Sequence, residues 1–176
     1  MKKAASTEYA VLGALMSGPR HGYEILRHLD KAFGSIWQLS ASQLYLLLKR
    51  LEKEGFLRSN IKAQKARPSK RVFSLTPSGR RIFLDWVHSP TEHVRDLRIE
   101  FLAKLFFSRS LSLKGGNNLL ENQFLILEKV REGMQRSKDN EKEPFMKLVW
   151  GAKIATLEAW VQWLGKEATP FIKEKK

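Results

Sequence analysis

Cysteine is absent from all 176 residues, which excludes a disulfide scaffold, a Cys-ligated zinc finger and a cysteine nucleophile. Long apolar runs are missing too: the longest, Tyr9 to Met16, is about eight residues, against the ~20 that a membrane-spanning helix needs. Lys2-Lys3 ahead of that run imitates the charged start of a signal peptide. Glu8 breaks the imitation, no Ala-x-Ala follows, and the pattern continues as an amphipathic helix, so the expectation is a soluble, cytoplasmic chain with no membrane partner. Enzyme signatures are equally scarce. His21, His28, His88 and His93 form no i,i+4 metal-ligand pair with a neighbouring Glu, and neither G-x-x-x-x-G-K-[ST] nor G-x-S-x-G occurs. The chain therefore reads as a non-enzyme without metal or cofactor.

Acidic residues are few, 18 against 32 Lys plus Arg, for a formal net charge of +14. The excess is uneven. Residues 1–90 hold 16 basic and 6 acidic side chains, residues 91–176 hold 16 and 12, so the first half is the one that suits a polyanion. Residues 58–71 carry Arg58, Lys62, Lys65, Arg67, Lys70 and Arg71 with no acid among them. By itself such a run describes a solvated loop; its neighbours give it more meaning. With 43% hydrophobic residues the chain has ample material for a packed core.

Ser6-Thr7-Glu8 predicts a helix start, with Tyr9, Leu12, Leu15 and Met16 at helical spacing until Gly18-Pro19. A second helix over 22–33 carries Tyr23, Leu26, Leu29 and Phe33 on one stripe and stops at Gly34. Trp37 and Leu39 follow in an extended connector. Ser40 and Gln43 then form the S-x-x-Q version of a capping box, ahead of Leu44, Leu47, Leu48 and Leu51 at i, i+3, i+4 and i+7. The opposite face of this third helix presents Ser42, Gln43, Tyr45, Lys49, Arg50 and Lys53, residue types that donate to phosphates and, for Gln43 and Lys49, reach base edges. Beyond Gly55 the period becomes extended: residues 57–63 and 70–75 predict two strands joined by a turn at 64–69 containing Pro68. Thr76-Pro77 caps a fourth helix carrying Ile82, Phe83, Trp86 and Val87. Three helices followed by a basic hairpin is the order of a winged helix-turn-helix, in which a helix enters the major groove and the hairpin lies along the backbone or minor groove.

At this point the chain resembles the PadR family of bacterial transcriptional regulators. The resemblance rests on Tyr9-Ala10-Val11-Leu12-Gly13-Ala14-Leu15, His21-Gly22-Tyr23-Glu24-Ile25, Trp37-Gln38-Leu39-Ser40 with Gln43-Leu44-Tyr45, Leu48-Lys49-Arg50-Leu51-Glu52-Lys53-Glu54-Gly55, and a wing with Arg67-Pro68, Lys70 and Phe73 ahead of Leu75-Thr76-Pro77-Ser78-Gly79. Family members often have Pro and Gly at Ala41 and Ser42, Pro at Leu46, Gly at Ala66 and Tyr at Phe73. The second half is similar at 101–107 and 157–164. The resemblance implies a homodimer on a pseudo-palindromic operator in double-stranded DNA. Ser40, Ser42, Gln43, Tyr45 and Lys49 face the duplex, and Lys65, Arg67, Ser69, Lys70 and Arg71 supply the wing. Tyr23 belongs to a motif near the phosphates, although packing explains it equally well.

The implied architecture is mainly α with a small β-hairpin wing: a winged helix-turn-helix domain over 1–89, then a helical dimerisation domain over 90–176 with effector sensing as a further role. Three helices are predicted in the second half. The first, over 91–107, carries Val94, Leu97, Phe101, Leu102 and Leu105. The second, after Gly115-Gly116, carries Leu120, Phe124, Leu127 and Met134. The last, over 145–166, carries Leu148, Val149, Ala152, Leu157, Trp160, Val161 and Leu164, with Trp150, Ile154 and Trp163 off the main face. Apolar coverage wider than one stripe wants a second partner, which another copy about a two-fold axis supplies. Phe101, Leu105, Trp150, Leu157, Trp160, Val161 and Leu164 are the expected dimerisation residues. The aromatics Phe101, Phe106, Phe107, Phe124, Trp150, Trp160 and Trp163 are plain core in the simpler reading and line a site for an aromatic small-molecule effector in the other. The leading function is a dimeric, sequence-specific repressor released by a small molecule; the alternative is a basic helical adaptor for protein or RNA.

Overall fold

The computed structural model describes residues 6–34, 36–64 and 67–173, with 62–64 and 67–70 described through their backbone alone. The first half comprises α1 (Ser6–Ala14), β1 (Arg20–His21), α2 (Gly22–Phe33), α3 (Ala41–Lys53), β2 (Leu57–Gln64), β3 (Arg67–Leu75) and α4 (Pro77–His88). A 3₁₀ turn at Val94–Asp96 and a π-helical turn at Leu97–Phe101 lead into α5 (Leu102–Ser110), α6 (Gly116–Asn140) and α7 (Pro144–Trp163). A second π-helical turn, Leu164–Ala168, leads to α8 (Thr169–Lys173). The strands form one antiparallel sheet in the order β1-β3-β2. The chain is thus mainly helical with a small wing, as expected, and among the described residues no helix is long and apolar enough to cross a membrane.

The head packs around Val11, Leu12, Ile25, Leu29, Phe33, Leu44, Leu48, Leu51, Phe73, Phe83 and Val87. Of its expected α2 stripe, Leu29 and Phe33 are buried and Leu26 packs against the core, but Tyr23 is 64% exposed and Ile25 is buried instead. The strands are longer than expected and meet at Gln64↔Arg67, so Pro68 falls inside β3, past an irregularity in the register between Lys62 and Gln64. The two-residue β1 is too short for any periodicity to announce it.

Ala103 and Phe107 of α5 belong to the head core, which therefore continues past residue 89. Gly13 makes this possible: a Cβ there would stand 2.6 Å from the Phe107 ring and 2.7 Å from that of Phe83. A second core gathers Leu97, Phe101, Leu105, Leu119, Leu120, Leu127, Leu157, Leu164 and Ala168. The phase of α7 also differs from expectation, with Ile154 and Leu157 buried and Leu148 exposed.

Between the cores lies a polar joint. Lys104, 1% exposed, donates to Ser89 O (2.9 Å), Pro90 O (3.3 Å) and Glu100 Oε1 (2.7 Å). Gln123 clasps the Thr91 backbone, accepting from its N–H at 2.7 Å and donating to its carbonyl at 3.0 Å. A buried ammonium is tolerated only when paired and hydrogen-bonded, and this one ties the 89–91 connection to α5.

Candidate nucleic-acid interface

Leu44, Leu48 and Leu51 anchor α3 in the head core, which turns its polar face outward by helical geometry alone. The capping box forms as its sequence predicts: Ser40 Oγ accepts from Gln43 N at 3.2 Å, and Gln43 Oε1 accepts from Ser40 N at 3.0 Å. The start of α3 is thus fixed before any ligand arrives. Gln43 commits its oxygen to the cap and has its amide NH₂ left to present, while the hydroxyl proton of Ser40 stays available. Ser40, Ser42, Gln43, Tyr45 and Lys49 are all exposed on this face. So is Leu46, 71% exposed, which the sequence reading left off the face.

Tyr45 stands directly over the start of α2. A Cβ on Gly22 would meet its hydroxyl at 2.7 Å, so glycine at that position lets the two helices approach. Tyr23, one residue on, stacks near His21 with ring centroids 6.4 Å apart; its exposure puts it on the surface beside Tyr45, not in the core. Arg50 is ion-paired with Glu8 of α1, whose carboxylate is buried, so this cation of the helix braces the head.

On the wing, Lys65 lies outside the described residues, and the side chains of Arg67, Ser69 and Lys70 lie outside them as well. Arg71 is described and is not free. Its Nη2 donates to Glu52 Oε2 at 2.5 Å and its Nε to Ser59 Oγ at 2.8 Å, while Ser59 Oγ donates to Glu52 Oε1 at 2.5 Å. The Ser59 hydrogen bond holds the Glu52 carboxyl below the usual glutamate range; burial opposes it and the Arg71 charge adds to it. The pairings of Glu52 with Ser59 and of Glu8 with Arg50 went unread in the sequence because the partners lie 7 and 42 positions apart. Strand register alone gives a signal: Ile61 pairs with Arg71, which places Ser59 diagonally beside it.

Of the expected dimerisation residues, Phe101, Leu105, Leu157 and Leu164 are covered by the chain's own second core and have almost no surface left for another copy. Trp150, Trp160 and Val161 are half-buried. Among the described residues, the exposed large apolar side chains of this half are Ile99, Phe124, Leu125, Phe145, Met146, Leu148 and Phe171. Along α7, Phe145, Leu148, Ala152, Ala155 and Ala159 are all exposed, and their spacing alternates between three and four residues. A separate cavity of about 300 Å³ lies where the end of α2, α5 and the C-terminal helices meet, lined by Phe33, Ile36, Leu105, Phe106, Trp163 and Phe171.

Residues 11–84 match the Transcriptional regulator PadR-like family. The chain is similar to the Negative transcriptional regulator PadR of Bacillus subtilis (strain 168), 34% identical over 119 residues that cover 66% of this chain and 64% of the relative. It is also similar to the Probable transcriptional regulator Rv1176c of Mycobacterium tuberculosis, 30% identical over 87 residues covering 49% of this chain and 46% of that one. The chain thus matches less than two thirds of the length of each of these curated relatives. Among solved structures it is similar to Bacillus subtilis PadR in complex with operator DNA, at 26% identity, covering 95% of this chain and 99% of that one with a TM-score of 0.49. Residues 11–84, which hold the capped helix and the wing, are thus a PadR-like transcriptional-regulator domain.

Proposed function

We propose that the chain is a cytoplasmic, dimeric DNA-binding repressor: α3 enters the major groove of an operator half-site and the wing follows the adjacent backbone. The observation that carries this reading is the exposed row Ser42, Gln43, Tyr45 and Lys49 on a helix whose other face is locked in the core, next to an acid-free basic ribbon. Repression is inferred from the Bacillus subtilis relative, a negative transcriptional regulator.

The winged half, 1–89 with α5 completing its core, is the reading unit; 90–176 is the pairing unit. Its seam is the α7 face of Phe145, Leu148, Ala152, Ala155 and Ala159. That three-and-four alternation is the a/d pattern of helices that pack in pairs, and alanines let two backbones come close. A second copy is its occupant. The cavity lined by Phe33, Phe106 and Trp163 is sized for one planar aromatic effector, and a ligand there would bias the angle between head and arm that sets operator spacing.

A salt titration of binding to a duplex selected from genomic fragments tests the reading. Between roughly 50 and 200 mM salt the affinity is expected to fall at least ~1000-fold through counterion release, and a nearly flat titration rejects it.

A further inference from the structure

Arg71 differs from an ordinary wing cation. Three hydrogen bonds close a ring through three elements: Ser59 of β2 to Glu52 of α3, Arg71 of β3 to Glu52, and Arg71 to Ser59. Two of the guanidinium's donor nitrogens are spent, and its charge is met at 2.5 Å by a carboxylate that stays ionised. A phosphate taking the Nε–Nη2 edge of the guanidinium would have to displace both partners. The ring also sits where the wing needs support. On one face of the ribbon, Phe73 is buried in the core, while Ile61, paired with Arg71, is 75% exposed. The sheet thus leaves the body of the head at Arg71, and a two-stranded ribbon is pliable beyond its last packed residue.

We propose that Glu52, Ser59 and Arg71 form a clasp that sets the angle of the wing to α3, making Arg71 a positioning residue and Glu52 a determinant of operator selectivity although neither contacts DNA. This rests on the DNA-binding reading above and assigns one of its expected phosphate contacts a different task. It predicts an effect opposite in sign to simple electrostatics. Removing an acid from a basic interface strengthens DNA binding if charge alone matters; removing Glu52 weakens it if the clasp matters.

The test compares full-length wild type with Arg71→Ala, Glu52→Gln, Ser59→Ala and the charge-swapped pair Glu52→Arg/Arg71→Glu. Each is measured against a selected operator and bulk duplex DNA across salt. For Arg71→Ala, Glu52→Gln and Ser59→Ala the clasp predicts roughly fivefold or greater loss of operator affinity, little change on bulk DNA and an unchanged salt slope, with partial recovery in the swapped pair. A slope that drops by about one in Arg71→Ala marks a phosphate contact and overturns the proposal; so does tighter operator binding by Glu52→Gln. Exchange of the Arg71 Nε–H proton in the free chain reports the clasp independently of DNA. Slow exchange in wild type and fast exchange in Glu52→Gln support it, and fast exchange in both overturns it. Wild type that binds no duplex rejects the DNA reading and leaves that exchange readout standing.

Discussion

The head and the arm spend their apolar residues differently. Across α1 to α4 nearly every aliphatic side chain on the inward face closes into one core, and the outer face of α3 is mostly polar or cationic, with Leu46 the exposed aliphatic among them. Along the 20 residues of α7 the fully buried side chains are Ile154 and Leu157, while Phe145, Leu148 and three alanines face outward. Apolar surface left in water costs about 25 cal/mol per Å², which is what favours a second copy on this face under the proposed pairing. The head closes its core within one chain; under the proposed pairing a second copy completes the arm. Charge follows the same division, with the basic excess concentrated in residues 1–90.

The largest break in that division comes from the joint. Lys104→Ala leaves the Glu100 carboxylate and the Ser89 and Pro90 carbonyls without their shared donor, and is expected to cost about 3–5 kcal/mol in urea denaturation at fixed protein concentration. Next, Leu148→Glu with Ala155→Glu puts two carboxylates on the proposed seam. Sedimentation should then show a monomer, with operator affinity lower by ~100-fold, about 2.7 kcal/mol, and the far-UV spectrum unchanged. A dimer that survives this pair moves the seam elsewhere. Ser40→Ala sharpens the head side alone, costing about 1 kcal/mol of stability through the lost cap while leaving the oligomeric state as it was.

The smallest effect concerns His28, which burial, then the charges of Arg20 and Lys31, hold below the ordinary histidine range. The unfolded chain takes up this proton first. The contribution of His28 to stability is therefore intact above the ordinary histidine value and lost as the pH falls through it toward the folded one. His28→Gln should lessen the drop in Tm between about pH 7.5 and pH 5.5.

What could be read from the chain depended on how local each signal was. The capping box of α3, the Thr76-Pro77 start of α4 and the Leu44, Leu48, Leu51 stripe are short-range patterns, and the fold reproduces them. Phase failed where apolar residues filled more than one face: α2 buries Ile25 in place of Tyr23, and α7 buries Ile154 while exposing Leu148. The helix expected over 91–107 begins instead with tight and wide turns, and α5 starts only at Leu102, where the chain bends to place Phe107 under Gly13. Pairings such as Arg50 with Glu8, or Arg71 with Glu52, are products of tertiary packing and strand register. No spacing in the chain encodes them.

The central claim is geometric: two α3 helices, carried by a paired α7 seam, sit one helical turn apart on a duplex. Nuclease protection of the selected operator, with protein-to-DNA stoichiometry measured on the same fragment, tests it most directly. The account predicts two protomers per site and two protected half-sites with centres about 10–10.5 base pairs, or ~34 Å, apart. A single protected half-site bound by one protomer would contradict it.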